Sequence, residues 1–280
     1  MCAKNSIESI FQEKLDLLHD EIVNFAVIVP LVGKTSAGKS RLLNTWLGTD
    51  ILGIDTLPET TIATELRYGS PEKLILHDLH GNTEEKSVGH LKTLSKNTKD
   101  ILFAELYLDN IKLKHRPSLV LVDMPGIGSS YENHTKAIIN YVQRGHYYVL
   151  VMDVQHYSDA DVLRFVRELT AYKQNFSAVV TKSGRKLPEQ LTAIKNTVKE
   201  LFQERTGNEV VVGSVECDPP PMIHDFEEIL DSIWMKEASI FQSQFSPKMN
   251  GVLQDLQHYF QRLLSGDNLK VEEIDAKIAE

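Results

Sequence analysis

The sequence has only two cysteines, Cys2 and Cys217, at opposite ends and outside any CxxC pair. They have no reason to pair, so no disulfide framework is expected and a reducing compartment fits. Excess positive charge is also missing. Lys and Arg number 30 against 39 Asp and Glu, a formal charge of −9 with no basic run. Phosphate backbones demand a basic face, so no nucleic-acid partner is expected. Long hydrophobic runs are absent too; the longest, such as Tyr147 to Met152, are far too short to span a bilayer. MCAKNSIESIF at the start has no apolar signal core, which leads to the expectation of a cytoplasmic chain. No segment pairs a large apolar face with a Lys/Arg-rich one, so any membrane role is expected to be indirect. Ten scattered histidines show neither HExxH nor HxH spacing, which favours structural or surface roles over metal ligation.

What is present is the composition of an ordinary globular protein: 280 residues, 42% hydrophobic and 25% charged. Ile7, Phe11, Leu15, Leu18 and Ile22 recur at helical spacing behind a cap at Asn5 or Ser6. Phe25 to Val32 reads as a buried strand, although Pro30 removes a ladder donor. Further strands are expected at Thr64–Gly69, Lys73–Asp78, Phe103–Leu108, Leu119–Asp123, Tyr148–Val154, Ala178–Thr181 and Glu209–Gly213. Helices are expected at Lys39–Leu47, Thr135–Arg144, Ala160–Tyr172, Glu189–Arg205 and Asp225–Trp234. That alternation implies an α/β fold, a mostly parallel central sheet with helices on both faces. His80–Lys99 is polar and reads as a surface excursion. After Pro247 the pattern is helix only, with a stripe of Val252, Leu256, Tyr259, Phe260, Leu263 and Leu264. Beyond Gly266, Val271, Ile274 and Ile278 continue it to the last residue. Such an ending fits part of something longer, a helix awaiting a partner, or a terminal helix lying on the domain. The expected division is 1–24, 25–245 and 246–280.

Chemistry concentrates in four segments. GKTSAGKS, Gly33 to Ser40, fills GxxxxGK(S/T) at every fixed position, between an expected strand and an expected helix. A triphosphate needs many N–H donors at close range. A glycine-rich loop opening a helix supplies them, with the positive end of the helix dipole. Gly33, Lys34, Thr35, Ser36, Ala37, Gly38 and Arg41 are therefore candidate nucleotide contacts. Lys39 offers a point charge for the β- and γ-phosphates, and Ser40 a hydroxyl ligand for Mg²⁺. The apolar strand Leu119 to Val122 then ends in Asp123-Met-Pro-Gly126. Asp123 at the strand tip can hold magnesium through a water, and Gly126 has no Cβ to keep its N–H from a γ-phosphate. In Pro58-Glu-Thr60-Thr61-Ile-Ala-Thr64, the Thr60 hydroxyl can bind Mg²⁺ while its carbonyl orients water. Thr181-Lys182-Ser183-Gly184 follows a strand but departs from (N/T)KxD, whose Asp accepts two hydrogen bonds from guanine. Gly184 cannot accept them, a loss of roughly 3 kcal/mol, about a hundredfold in base discrimination. Lys182 can still stack its aliphatic stem on a purine.

Read together, GKTSAGKS-RLLNTWLG, LPETTIATELRYG, LVLVDMPGIGS and VVTKSG resemble the GTPase domain of the dynamin superfamily, especially its bacterial members. The specific motifs cover Phe25 to Gly184. The resemblance implies a P-loop GTPase that hydrolyses GTP to GDP and phosphate and pairs with a second copy across the nucleotide face. In this family, helices flanking the GTPase domain pack as a neck leading to a stalk, and the stripes at Ile7–Ile22 and Val252–Leu264 resemble those elements. A partner dynamin-like subunit through the terminal helices, and peripheral membrane association in a longer chain, are implied in the same way. Carried over by position, Ser36 resembles the P-loop serine that helps hold a monovalent cation, Na⁺ or K⁺. Thr35 stands where many dynamins have a water-orienting glutamine, and Thr60 matches the switch threonine. Lys39 neutralises charge on the γ-phosphoryl group. Thr181 and Lys182 fall in the base-contacting motif, and Ser214 in a loop that matches a second one loosely. Two alternatives stay open: a P-loop NTPase of relaxed base preference, from Gly184, and a nucleotide-gated scaffold with little hydrolysis, from Thr35 and Gly184.

Overall fold

Valine- and leucine-rich runs buried on both faces build the centre of a nine-stranded sheet among the described residues. The computed structural model describes the backbone of residues 2–53, 62–93, 100–127, 144–207 and 209–265. The strands are β1 Val27–Val32, β2 Ala63–Tyr68, β3 Lys73–Asp78, β4 Thr83–Lys86 and β5 Ile101–Leu108, then β6 Leu119–Asp123, β7 Tyr147–Asp153, β8 Asn175–Thr181 and β9 Val212–Ser214. Their order is β4-β3-β5-β2-β6-β1-β7-β8-β9. From β6 to β9 every neighbour is parallel, and β2 pairs β5 in parallel. The antiparallel pairs β2–β6, β3–β5 and β3–β4 lie in the other half of the sheet. The mostly parallel sheet expected from the sequence is therefore present.

The longer helices are α1 Cys2–Val23, α2 Lys39–Leu47, α3 Ala160–Ala171, α4 Pro188–Thr206, α5 His224–Trp234 and α6 Glu237–Ser265. Because side chains alternate along a strand, β6, β7 and β8 feed both faces. Val120, Val122, Leu150, Met152, Ala178 and Val180 join Phe165, Val166 and Leu169 of α3 and Val198 and Phe202 of α4 in one cluster. The intervening residues Leu121, Val149, Val151 and Val179 are fully buried on the opposite face, where α2 packs near β6 and α5 near β8 and β9. There Trp46 of α2 meets Phe226 of α5 edge-on, centroids 6.4 Å apart. None of the described helices is long and apolar enough to cross a membrane.

The chain divides into two units, residues 26–235 and residues 1–25 with 236–280, the second helical in its described residues. Within the helical unit Phe25 sits edge-on to Phe241 and Phe245, at 5.2 and 5.6 Å. Phe11 faces Tyr259 at 6.0 Å, and Lys248 pairs with Glu21. The structure departs from expectation in several details: helix α1 already begins at Cys2, so neither Asn5 nor Ser6 caps it. The sheet-bearing unit ends at residue 235. Helix α6 begins at Glu237, well before Pro247, which sits inside it and forgoes the N–H owed to the preceding turn. The polar stretch from His80 contains the edge strand β4, pairing Thr83 to Lys86 with β3. Pro30 stands in central β1 as expected; ahead of it Val27 N donates to Ser118 O on the β6 side and Ile28 N to His146 Nδ1 on the β7 side. Alternation puts the donor missing at Pro30 on the β7 side, where pairing starts only at Leu31. The expected helix at 135–144 lies almost wholly outside the described residues, and the stripe beyond Gly266 wholly so.

Candidate functional site

Four parallel strands, β6, β1, β7 and β8, end on one edge of the sheet, the edge at which α/β proteins place their ligands. Register brings Leu31 of β1 beside Asp123 of β6, and Asp153 of β7 beside Thr181 of β8. Residues 33–40 leave β1 at this edge and enter α2. Gly33 has no alternative there, since a Cβ would lie 2.1 Å from the Val151 carbonyl oxygen. Ser36 (φ 66°) and Gly38 (φ 93°) take left-handed conformations. Alternating handedness of this kind curls a chain so that successive amides converge on an anion. The positive end of α2 adds to the same field.

Lys39, only 6% exposed, lies at the start of α2. Its Nζ donates to the Gly33 and Lys34 carbonyls, each at 3.1 Å. Burial lowers its pKa to about 8, against the opposing pull of Asp123. Ser40 Oγ donates to Asp123 Oδ2 at 2.7 Å, and Asp123 is 1% exposed. A hydroxyl and a carboxylate are hard oxygen donors of the kind Mg²⁺ takes, so this pair fits that ion. Among the described residues no group of three His, Cys, Asp or Glu could hold a metal unaided. A magnesium ion here would need further oxygen ligands from water or a bound phosphate.

The segment after β6 runs along the loop. Ile127 N donates to Gly33 O at 3.0 Å and pairs in parallel with Lys34. A Cβ on Gly126 would fall 2.3 Å from Thr35 Oγ1 and 2.6 Å from Thr35 N. Close approach to Thr35 is thus a structural reason for glycine at 126, separate from the one read in the sequence. Thr60 lies outside the described residues.

The motif after β8 is tied to the same loop. Thr181 Oγ1 donates to Ala37 O at 2.7 Å, and Lys182, at φ 58°, donates to Ser36 O at 3.0 Å and Asp153 Oδ2 at 2.5 Å. Burial works to raise the Asp153 pKa, but Lys182 and the Gln155 amide outweigh it and hold it below the ordinary carboxylate value. Lys34 sends its side chain to Asp159 at 2.8 Å, and Arg41 pairs with Asp218. Two hollows flank this strip and share Lys182 and Arg185. One, of about 400 Å³, is lined by Lys34, Thr35, Ser36, Asp153 and Asp159 among others. The other is a slit of about 40 Å³ between Gly38, Arg41, Thr181, Glu216 and Asp218. Ser214 lines neither: its amide and hydroxyl both go to Asp225 Oδ2, at 2.8 and 3.2 Å, which ties β9 to the first turn of α5. Glu216, two residues on, does line the slit. Sequence reasoning missed Asp153. Its signal was the one that found Asp123, a carboxylate at the tip of an apolar strand.

Comparison with known proteins agrees with this geometry. The family model described as the Dynamin family matches residues 29–183, more than half of the chain, and takes in the phosphate loop, Asp123 and Lys182. Dynamin-like protein 2 of Campylobacter jejuni is 23% identical over 250 residues, 88% of this chain and 40% of its own length. Dynamin-like protein 1 of the same organism is 23% identical over 314 aligned residues, 96% of this chain and 42% of its own. An uncharacterised protein of Caldicellulosiruptor is 24% identical over 213 residues, 71% of this chain and 52% of its own. The chain thus spans about half or less of the length of these curated relatives. In fold it is similar to a solved, oligomerised bacterial dynamin pair, described as a mechanism for long-range sensing and tethering of membranes. The TM-score is 0.64 at 15% identity, over 99% of this chain and 60% of that one. With the phosphate-loop geometry, the Asp123–Ser40 pairing and the family match all falling on the same stretch, the chain belongs to the dynamin family.

Proposed function

We propose that this chain is the GTPase part of a dynamin-like protein, hydrolysing GTP to GDP and phosphate at residues 33–40. The observation that carries the reading is the buried Lys39 at the head of α2, beside the Ser40–Asp123 pair. On this reading the loop amides and Lys39 cradle the β- and γ-phosphates, while Ser40 directly and Asp123 through water hold Mg²⁺. A bound magnesium would neutralise phosphate charge. The protein's own task is positioning and electrostatics rather than covalent chemistry. Thr60, assigned from sequence, aligns the attacking water, and the glycine at 126 lets the segment after β6 lie against Thr35 beside the γ-phosphate position.

Thr35 supplies no amide side chain to orient water, so one copy alone is expected to turn over slowly. Pairing of two copies across the nucleotide face would add the missing charge, and the helical unit of α1 and α6 would pass the nucleotide state on to a longer assembly. Membrane remodelling is the wider role this reading assigns, supported by the membrane-tethering dynamin pair that shares the fold. The test is phosphate release from GTP at two protein concentrations a hundredfold apart. Specific activity should rise with concentration and vanish in Lys39→Ala. Release that is untouched by Lys39→Ala would sink the site assignment, and flat specific activity would sink the pairing.

A further inference from the structure

Gly184 removes the carboxylate that a (N/T)KxD motif aims at guanine, yet a carboxylate occupies its place. Glu216, in the loop after β9, reaches back so that Gly184 N donates to its Oε2 at 2.8 Å. A Cβ built on Gly184 would lie 2.8 Å from that same oxygen. The room a side chain at 184 would claim is therefore filled by the head of Glu216. Its backbone is clamped: Glu216 and Met222 exchange N–H···O bonds of 2.8 Å in both directions. Val215 N donates to Val180 O at 2.8 Å and Ser183 N to Val215 O at 3.2 Å, so the two loops are held together. The carboxylate lines the slit beside Gly38, Thr181 and Lys182, the side of the loop away from Asp159.

We propose that Glu216 is the guanine-reading residue of this chain, a carboxylate relocated from the motif after β8 to the loop after β9. The proposal rests on the reading that residues 33–40 bind a nucleoside triphosphate. An ionised carboxylate has about four acceptor positions on two oxygens. Gly184 N takes one on Oε2 and Asp218 N one on Oε1, at 2.8 and 2.9 Å, and the Cys217 amide adds a lesser contact, which leaves acceptor capacity on the carboxylate. Guanine presents N1–H and a 2-amino N–H side by side, a donor pair that matches two adjacent oxygens. Adenine presents the N1 lone pair there and no amino group, so it meets repulsion instead. The group is ionised at neutral pH. Burial works to raise its pKa, but the amides of Asp218, Gly184 and Cys217, with Arg41, hold it below the ordinary value.

The test is equilibrium titration of the full chain with ribose-labelled GTP, ITP, XTP and ATP in Mg²⁺, using wild type, Glu216→Gln and the double variant Gly184→Asp/Glu216→Ala. Wild type should favour GTP over ITP, which lacks the 2-amino group, by about tenfold, and over ATP by about a hundredfold. Glu216→Gln keeps the shape but turns one acceptor into a donor. It should weaken GTP about a hundredfold, tighten ATP by relieving the repulsion at adenine N1, and bind XTP more tightly, because the new N–H meets the C2 carbonyl of xanthine. The double variant should restore GTP preference from position 184. Unchanged GTP affinity in Glu216→Gln overturns the proposal, as does an equal loss for GTP and ATP, the mark of a merely structural role. A wild-type chain that binds none of the four would overturn the phosphate-loop reading, and the proposal with it.

Discussion

Lys39 is a buried ammonium, and its titration should be visible in the stability of the nucleotide-free protein. In an unfolded chain the group keeps its proton up to the ordinary lysine value of 10.5; in the fold, burial brings that value down to about 8. Between those two limits the unfolded state binds more protons than the folded one, so stability rises with pH. Below pH 8 both states are charged, and the full cost of burying the charge is present. Integrating the linkage from about pH 7.5 to about pH 9.5 gives a gain of about 2 kcal/mol from this one residue. Lys39→Met keeps the stem and removes the titration. Other groups contribute alike to both proteins, so the difference between their pH profiles isolates Lys39. The assay is urea unfolding in EDTA, followed by tryptophan fluorescence, since Trp46 and Trp234 both belong to the sheet-bearing unit. At about pH 7.5 the Met variant should be the more stable, and its advantage should shrink by about 2 kcal/mol at about pH 9.5. Parallel profiles would refute the reasoning, for they would mean that Lys39 keeps an ordinary pKa.

Gly126→Ala would place a Cβ 2.3 Å from Thr35 Oγ1 and 2.6 Å from Thr35 N, so the segment after β6 must lift off the loop and strain the Ile127–Gly33 bond. Single-turnover phosphate release should fall about a hundredfold while GDP affinity stays within about threefold; wild-type turnover would contradict the contact. Phe226→Ala empties a fully buried site against Trp46 and should cost about 3–5 kcal/mol in urea unfolding. A cost under about 1 kcal/mol would mean that α5 does not pack as described.

What the sequence made legible was local. The loop at 33–40 announces itself because its glycines, its lysine and its hydroxyl act within eight consecutive residues, and strand periodicity places it between β1 and α2. Asp123 was legible as a carboxylate closing an apolar run. Proline misled once, at Pro247, since the strand expected through Pro30 is present. Pro30 takes one donor from the β7 side of β1, between the Ile28–His146 bond and the Leu31–Val149 pair, and Pro247 takes one from a long helix. Strand β4 was missed because Thr83 to Lys86 are polar throughout, three of the four exposed, and so carry no alternation. Glu216 was legible only as the end of Val212–Glu216, a segment that matches a base-contacting loop loosely, and its tie to Gly184 was not. It is 32 residues from Gly184, and only the pairing of β8 with β9 brings the two loops together. A motif records a carboxylate by its place in the chain, whereas a base would meet it by its place in space. The glycine in TKSG therefore argued for relaxed base preference only while the chain was read as a line. Once folded, that glycine is what makes room for the acid from the next loop, and the gap in the motif becomes an argument for recognition rather than against it.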